Sequence, residues 1–214
     1  MIEAPVQRFA EVVRTEEELR ALLGHPSAMV IKKAQPRLDE HCRAFIAMSP
    51  FMLLGTADAE GHCDVSPRGD GPGFVLVLDE KTLLIPDRPG NKRFDSLRNI
   101  IEHGAVGLLF MIPQIGETLR VNGRAQIVRD ADLLALLEAQ GKIPALAIAV
   151  EVEEAFIQCA KALKRSHLWE PESWQDPAGL TSRAKMFIDH ASMTGVTVEE
   201  MEGLLAESYA KWLY

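Results

Sequence analysis

Cysteine is scarce in this 214-residue sequence: Cys42, Cys63 and Cys159 lie far apart, and no two form a CxxC pair. An odd, scattered set argues against a disulfide framework or a thiolate zinc site and predicts free thiols in a reducing cytoplasm. His62, Cys63 and Asp64 are consecutive, but neighbours on a strand point to opposite faces, so no metal site is expected from them. Basic residues are also in deficit, with 23 Lys and Arg against 31 Asp and Glu and a net charge of −8. That balance speaks against a nucleic-acid partner, whose phosphates need clustered cations. No apolar run approaches the roughly 20 residues that span a membrane. The acidic opening MIEAPVQRFAEVVRTEEE lacks the apolar core of a signal peptide, so a cytoplasmic protein without a membrane partner is expected. No GxGxxG follows a strand, which argues against a dedicated nicotinamide domain. No Ser-His-Asp order and no paired carboxylates support hydrolase chemistry.

What is present is a core. Hydrophobic residues make up 47% of the chain, enough to close a large domain. Thr15 and Glu18 have the spacing of a capping box for a short helix ending at Gly24. LDEHCRAFIAM puts Leu38, Cys42, Phe45 and Ile46 on one helical face, and Ser49-Pro50 stops it. Then come short β-rich runs with tight turns: 51–58, 62–69, 74–79 and 82–87. A helix over 91–103 follows, with Asn91 as its cap and Phe94, Leu97, Ile100 and Ile101 as its buried stripe. Strands over 105–113 and 117–128 come next; in the second, Leu119, Val121, Gly123, Ala125 and Ile127 face one way. A helix over 130–140 capped by Asp130 and a last strand over 145–157 complete the pattern. Some seven antiparallel strands favour closure into a β-barrel with helices over its openings, a mainly β, α+β fold. The expected organisation is an N-terminal helical segment (1–50) packing on the barrel, the barrel itself (51–158) and a helical C-terminal extension (159–214), one compact domain in all. In the extension, Thr197 and Glu200 form a second capping box.

Three polar groups interrupt the strands at their ends. The first is Ser66, Arg68 and Asp70, where Asp70 is placed to orient the Arg68 guanidinium. The second runs from Asp87 to Arg93, where a strand meets a helix N-terminus. Lys92 and Arg93 in the first helical turn would oppose the helix dipole, a violation that points to a bound anion. Residue types alone leave a solvated basic turn equally open. The third is Glu117, Thr118 and Arg120.

The run SPRGDGPGFVLVLDEKTLLIPDRPGNKRFDSLRNIIEHGAVGLLFMIPQIGETLRVNGRAQI resembles the FMN-binding split barrel of the pyridoxamine 5′-phosphate oxidase-like superfamily, and most of all a bacterial group of FMN-dependent enzymes within it. The resemblance covers residues 45 to 170 and implies FMN as cofactor, oxidoreductase activity on a small molecule, and a homodimer with FMN at the interface. It assigns Arg68, Lys92 and Arg93 to the phosphate, Asp87 to the ribityl chain or ring, and Thr118 to the isoalloxazine, with Ser66, Asp70, Asn91 and Glu117 nearby. Lys161 and Arg165, one helical turn apart, would reach toward the partner's flavin. The tryptophan- and arginine-rich ending of the oxidases is replaced here by CAKALKRSHLW and two helices, so flavin binding carries over and vitamin B6 as substrate does not. The competing reading is a non-catalytic module that binds or senses flavin, a deazaflavin or haem. Trp169 is expected to be a packing anchor, His167 and His190 satisfied or solvated, and Cys159 a packed small hydrophobe.

Overall fold

The computed structural model describes residues 9–214. The chain divides into two compact units, one ending at Ala34 and one beginning at Gln35. In the first, helix α1 (Glu16–Leu23) is capped by Thr15, whose hydroxyl accepts from the Glu18 N–H, and closes at Gly24 with φ 76°. The Glu18 carboxylate accepts from the Arg14 N–H at 2.8 Å, one residue before the cap. A short helix, α2 (Ala28–Lys32), follows.

The second unit opens with α3 (Glu40–Met48), capped by Asp39 and stopped at Ser49, which is extended ahead of Pro50. Leu38, Cys42 and Ile46 are buried, and Phe45 packs at the edge of the same core. The strands are β1 (Phe51–Ala57), β2 (Cys63–Gly69), β3 (Leu76–Val77) and β4 (Thr82–Pro86). Helix α4 (Asp95–Glu102) precedes β5 (Ala105–Met111), β6 (Thr118–Val128), α5 (Ala131–Ala135) and β7 (Ala147–Gln158). The chain then forms α6 (Lys161–Ser166), α7 (Arg183–His190) and α8 (Val198–Lys211). No helix among the described residues is long and apolar enough to cross a membrane.

All seven strands join one sheet in the order β2-β1-β5-β6-β7-β4-β3, and each of its pairings is antiparallel. This is the split barrel. Alternate residues face inward: Met52 and Leu54 on β1, Leu108 and Phe110 on β5, Leu119 and Val121 on β6, Ile148, Val150 and Val152 on β7. Between β6 and β7 the register shifts at Asn122/Gly123, where Asn122 faces Glu154 and Gly123 faces Val152. The extra residue, Glu153, restores the inward alternation, so that Ala155 is buried three residues after Val152. Gly123 faces that bulge.

Three local expectations need correction. The helix expected over 91–103 begins at Asp95, and Asn91 does not cap it. Lys92 and Phe94 have φ of 60° and 61°, left-handed values that a right-handed helix cannot include. The buried side of α4 is therefore Ser96, Leu97, Asn99 and Ile100, while Phe94 and Ile101 are exposed. Asn99 donates from Nδ2 to Thr56 Oγ1 of β1 at 3.0 Å, a buried polar clasp between helix and sheet. The strand expected over 74–79 shortens to Leu76–Val77. The helix expected over 130–140 is α-helical only through Ala135, without a side-chain cap from Asp130. It continues in tighter turns, with the N–H groups of Leu136, Leu137 and Glu138 each reaching back three residues.

Candidate functional site

β2 is an edge strand, where Pro67 costs no sheet hydrogen bond on the open side. Its period of two places Asp64, Ser66 and Arg68, and Asp70 just beyond, in one half-buried row, while Cys63, Val65 and Pro67 face away. That row looks across the split of the barrel toward the end of β4 and the loop 87–94. Together they line a cavity of about 740 Å³ that also takes in Phe74, the start of α4, Leu213 and Tyr214.

Charge pairs cross the split. Arg68 donates from an Nη to Asp87 at 2.6 Å, and Arg88 donates from Nε to Asp70 at 2.7 Å. The expectation that Asp70 orients Arg68 is thus corrected. Residues two apart on a strand stand about 6.6 Å from each other and point the same way, so each pairs with the nearest opposite charge across the split instead. Arg93 pairs with Asp95 at 2.7 Å, and its N–H donates to Asn91 Oδ1 at 3.0 Å. Lys92 and Arg93 therefore precede α4, and its first turn carries Asp95, which suits the dipole. Neither Lys92 nor Arg93 stands against the dipole in the first turn of α4, so the expected sign of a bound anion is absent there.

Four cationic side chains (Arg68, Arg88, Lys92, Arg93) and four carboxylate side chains (Asp64, Asp70, Asp87, Asp95) line the cavity, so these side-chain charges cancel. Two of the four cations carry a donor without a partner among the described residues. Arg68 Nε is buried and has no hydrogen-bond partner among the described residues. Lys92, exposed in the loop, shows no ion pair among them. A buried N–H without an acceptor is costly, but this one is closed to solvent, so a ligand meets the part of the Arg68 side chain that stays accessible, 18% of it. Arg68 can serve an anion while keeping Asp87, because a guanidinium carries five N–H donors.

Ser66 has a defined polarity. Ser96 donates its one hydroxyl proton to Asp64 at 2.9 Å, so in the 2.9 Å contact between Ser66 and Ser96 it is Ser66 that donates. The Ser66 oxygen is left as an acceptor for a ligand O–H or N–H. At the other end of the row, Tyr214 donates its hydroxyl to Asp70 at 2.6 Å, and the Arg88 guanidinium lies 5.7 Å from the centre of the Tyr214 ring. Burial raises the Asp70 pKa, but hydrogen bonds from Tyr214, the Gly71 N–H and Arg88 outweigh it and hold the carboxyl below its ordinary value. The hydrogen bond to Asp70 raises that of Tyr214.

The structure thus brings Ser66, Arg68, Asp70, Asp87, Asn91, Lys92 and Arg93 to one cavity. Glu117, Thr118, Lys161 and Arg165 do not line it. Thr118 is buried at the start of β6, three strands from β2 and next to the cross-sheet row Arg68–Met52–Phe110–Leu119. Glu117, Lys161 and Arg165 are exposed. Trp169 is an anchor, donating from Nε1 to the Ile115 carbonyl at 2.9 Å. His167 contacts Glu170, and Cys159 is exposed rather than packed, because β7 ends one residue earlier. Arg88 lay within the polar run Asp87 to Arg93 without a role of its own, and Asp64, Ser96 and Tyr214 were not expected at the site. Strand period would have found Asp64, but nothing local marks Tyr214, which is 144 residues from Asp70.

Known proteins supply the remaining comparison. HupZ of Group A Streptococcus is 17% identical, with 56% of this chain and 94% of that one covered and a TM-score of 0.47. An FMN-binding protein of Syntrophomonas wolfei is 12% identical over 54% of this chain and 82% of its own, with a TM-score of 0.43. HutZ, the haem storage protein of Vibrio cholerae, is 15% identical over 56% and 94%, with a TM-score of 0.41. No curated protein matches the chain. The family model described as pyridoxamine 5′-phosphate oxidase matches residues 38–159, a span that holds the whole sheet and all of the cavity except Leu213 and Tyr214, and the chain belongs to that family.

Proposed function

We propose that the protein binds FMN in the cavity at the barrel split and is an oxidoreductase acting on a small molecule. The observation that carries this reading is a cavity of about 740 Å³ at the barrel split lined by Arg68, Arg88, Lys92 and Arg93, with Lys92 in no ion pair among the described residues. That volume is within the usual range for small-molecule sites, about 300–1,000 Å³. Arg68 and Lys92 would take the phosphate, through the charge-assisted bonds that bind phosphate most strongly. Ser66 would accept from a hydroxyl or ring N–H. When bound, the flavin supplies the hydride and electron chemistry, and the chain's own groups orient it and set its charge surroundings. The donor set does not favour haem: the cavity lining holds no His, Cys or Met, and its Tyr214 hydroxyl is committed to Asp70.

The purified protein is expected to show a flavin absorbance spectrum and to prefer FMN to riboflavin by about tenfold or more, since riboflavin lacks the phosphate. Equal affinity for the two, or a haem spectrum, removes the phosphate assignment. Bleaching by a reductant and recovery in air with substrate turnover separates an enzyme from a passive carrier.

Within the same proposal the working form is a homodimer, and Lys161 and Arg165 of α6 complete the partner's flavin site. Both are exposed on a short basic helix directly after β7, and neither reaches the cavity of its own chain. Mixed dimers of Arg68→Ala and Arg165→Ala chains provide the check. Shared sites predict one tight FMN site per mixed dimer, the one in which both arginines are restored. If mixing never restores a tight site, the partner contribution is rejected.

A further inference from the structure

We infer that Tyr214 is a movable wall of this cavity that covers the bound ligand and slows its release. The inference rests on the FMN reading above. Two separate contacts hold the Tyr214 ring at the cavity, the hydroxyl on Asp70 at 2.6 Å and the Arg88 guanidinium 5.7 Å from its centre. Of its neighbours, Trp212 is 68% exposed, and Leu213 lines the cavity while staying 62% exposed. The polar contacts that fasten the segment after α8 to the site, among the described residues, are those of the Tyr214 side chain. Such a tether can open by breaking one hydrogen bond and one cation–π contact, without disturbing the barrel core.

The geometry also separates a wall from a plug. The cavity keeps its volume of about 740 Å³ with Tyr214 in place, so a ligand of FMN size does not need to displace it. Both partners of Tyr214 belong to the Arg88–Asp70 ion pair that crosses the split, so the ring stands beside that pair at the cavity. An aromatic face at that position offers stacking area to a planar ligand while its hydroxyl stays paired.

The chain contains two tyrosines, Tyr209 and Tyr214, so protein labelled with 3-fluorotyrosine gives two fluorine resonances, and Tyr214→Phe assigns them. Adding FMN is expected to shift or broaden the Tyr214 resonance and to leave that of Tyr209 in place. FMN release, followed by recovery of flavin fluorescence after dilution, is expected to quicken about tenfold in Tyr214→Ala, which loses the ring. It should quicken only about threefold in Tyr214→Phe, which keeps the ring and loses the hydrogen bond to Asp70. An unmoved Tyr214 resonance with unchanged release in both variants overturns the inference while FMN binding stands. Tighter FMN binding by Tyr214→Ala also overturns it, since the residue would then be a competitor. A wild-type protein that does not bind FMN at all removes the cofactor reading and this inference with it.

Discussion

Arg68→Ala is expected to weaken FMN binding by roughly ten- to a hundredfold, the equivalent of about 1.5–3 kcal/mol for one charge-assisted contact. Two causes act together. The variant loses a guanidinium that lines the cavity. It also leaves Asp87, paired with Arg68 at 2.6 Å and only 19% exposed in its side chain, without its counter-charge. An unpaired carboxylate beside a phosphate repels it. Adding Asp87→Asn to Arg68→Ala removes that repulsion and should recover part of the affinity. Riboflavin binding should change far less than FMN binding, because the loss falls on the phosphate. The measurement is the FMN and riboflavin dissociation constants of the wild type and both variants by flavin fluorescence. A parallel loss for the two ligands, or no rescue by the second substitution, contradicts the phosphate assignment.

Gly123→Ala is expected to destabilise the barrel by about 3 kcal/mol, in line with overpacking of a tight core. For a chain of this size that corresponds to a fall in Tm of about 6–12 °C. A Cβ at this position would overlap the Glu151 carbonyl oxygen and lie 3.0 Å from its carbonyl carbon. The obstacle is backbone of a strand in the interior of the sheet, so it cannot swing aside as a side chain would. It also sits at the register shift between β6 and β7, and moving it disturbs the alternation that buries Val152 and Ala155. Gly203 in α8 is the control. A Cβ there meets nothing within 4 Å, so Gly203→Ala should hold or raise stability by about 0.5–1 kcal/mol. Thermal unfolding of the two variants decides the matter. Equal Tm values for Gly123→Ala and Gly203→Ala would mean that the bulge yields freely.

The local chain explains much of the fold. Alternation alone separates the inward row of β6, Leu119, Val121, Gly123 and Ala125, from the outward Arg120 and Arg124, because a strand has a period of two whatever it packs against. Thr15, Asp39 and Thr197 cap their helices as their spacing to the next N–H groups requires. The capping box at Thr197 and Glu200 is complete, since all its bonds lie within four residues. That Ser66, Arg68 and Asp70 share one face of the chain was likewise legible, again through the strand period.

Tertiary structure decided the pairing of charges and the shape of the site. Spacing along β2 cannot tell that Arg68 pairs with Asp87 and Asp70 with Arg88, because both bonds form only when the two ends of the sheet face each other across the split. The start of α4 at Asp95 was also beyond local reading. Asn91 and Asp95 are both acceptable beginnings by residue type, and the left-handed residues Lys92 and Phe94 that exclude the earlier start are not marked by their types. Tyr214 is the extreme case: its role as part of the cavity depends on a fold that brings it 144 residues back to Asp70. Hydrogen bonding within a turn is written in neighbouring residues, whereas contacts across a closed sheet exist only once the sheet has closed.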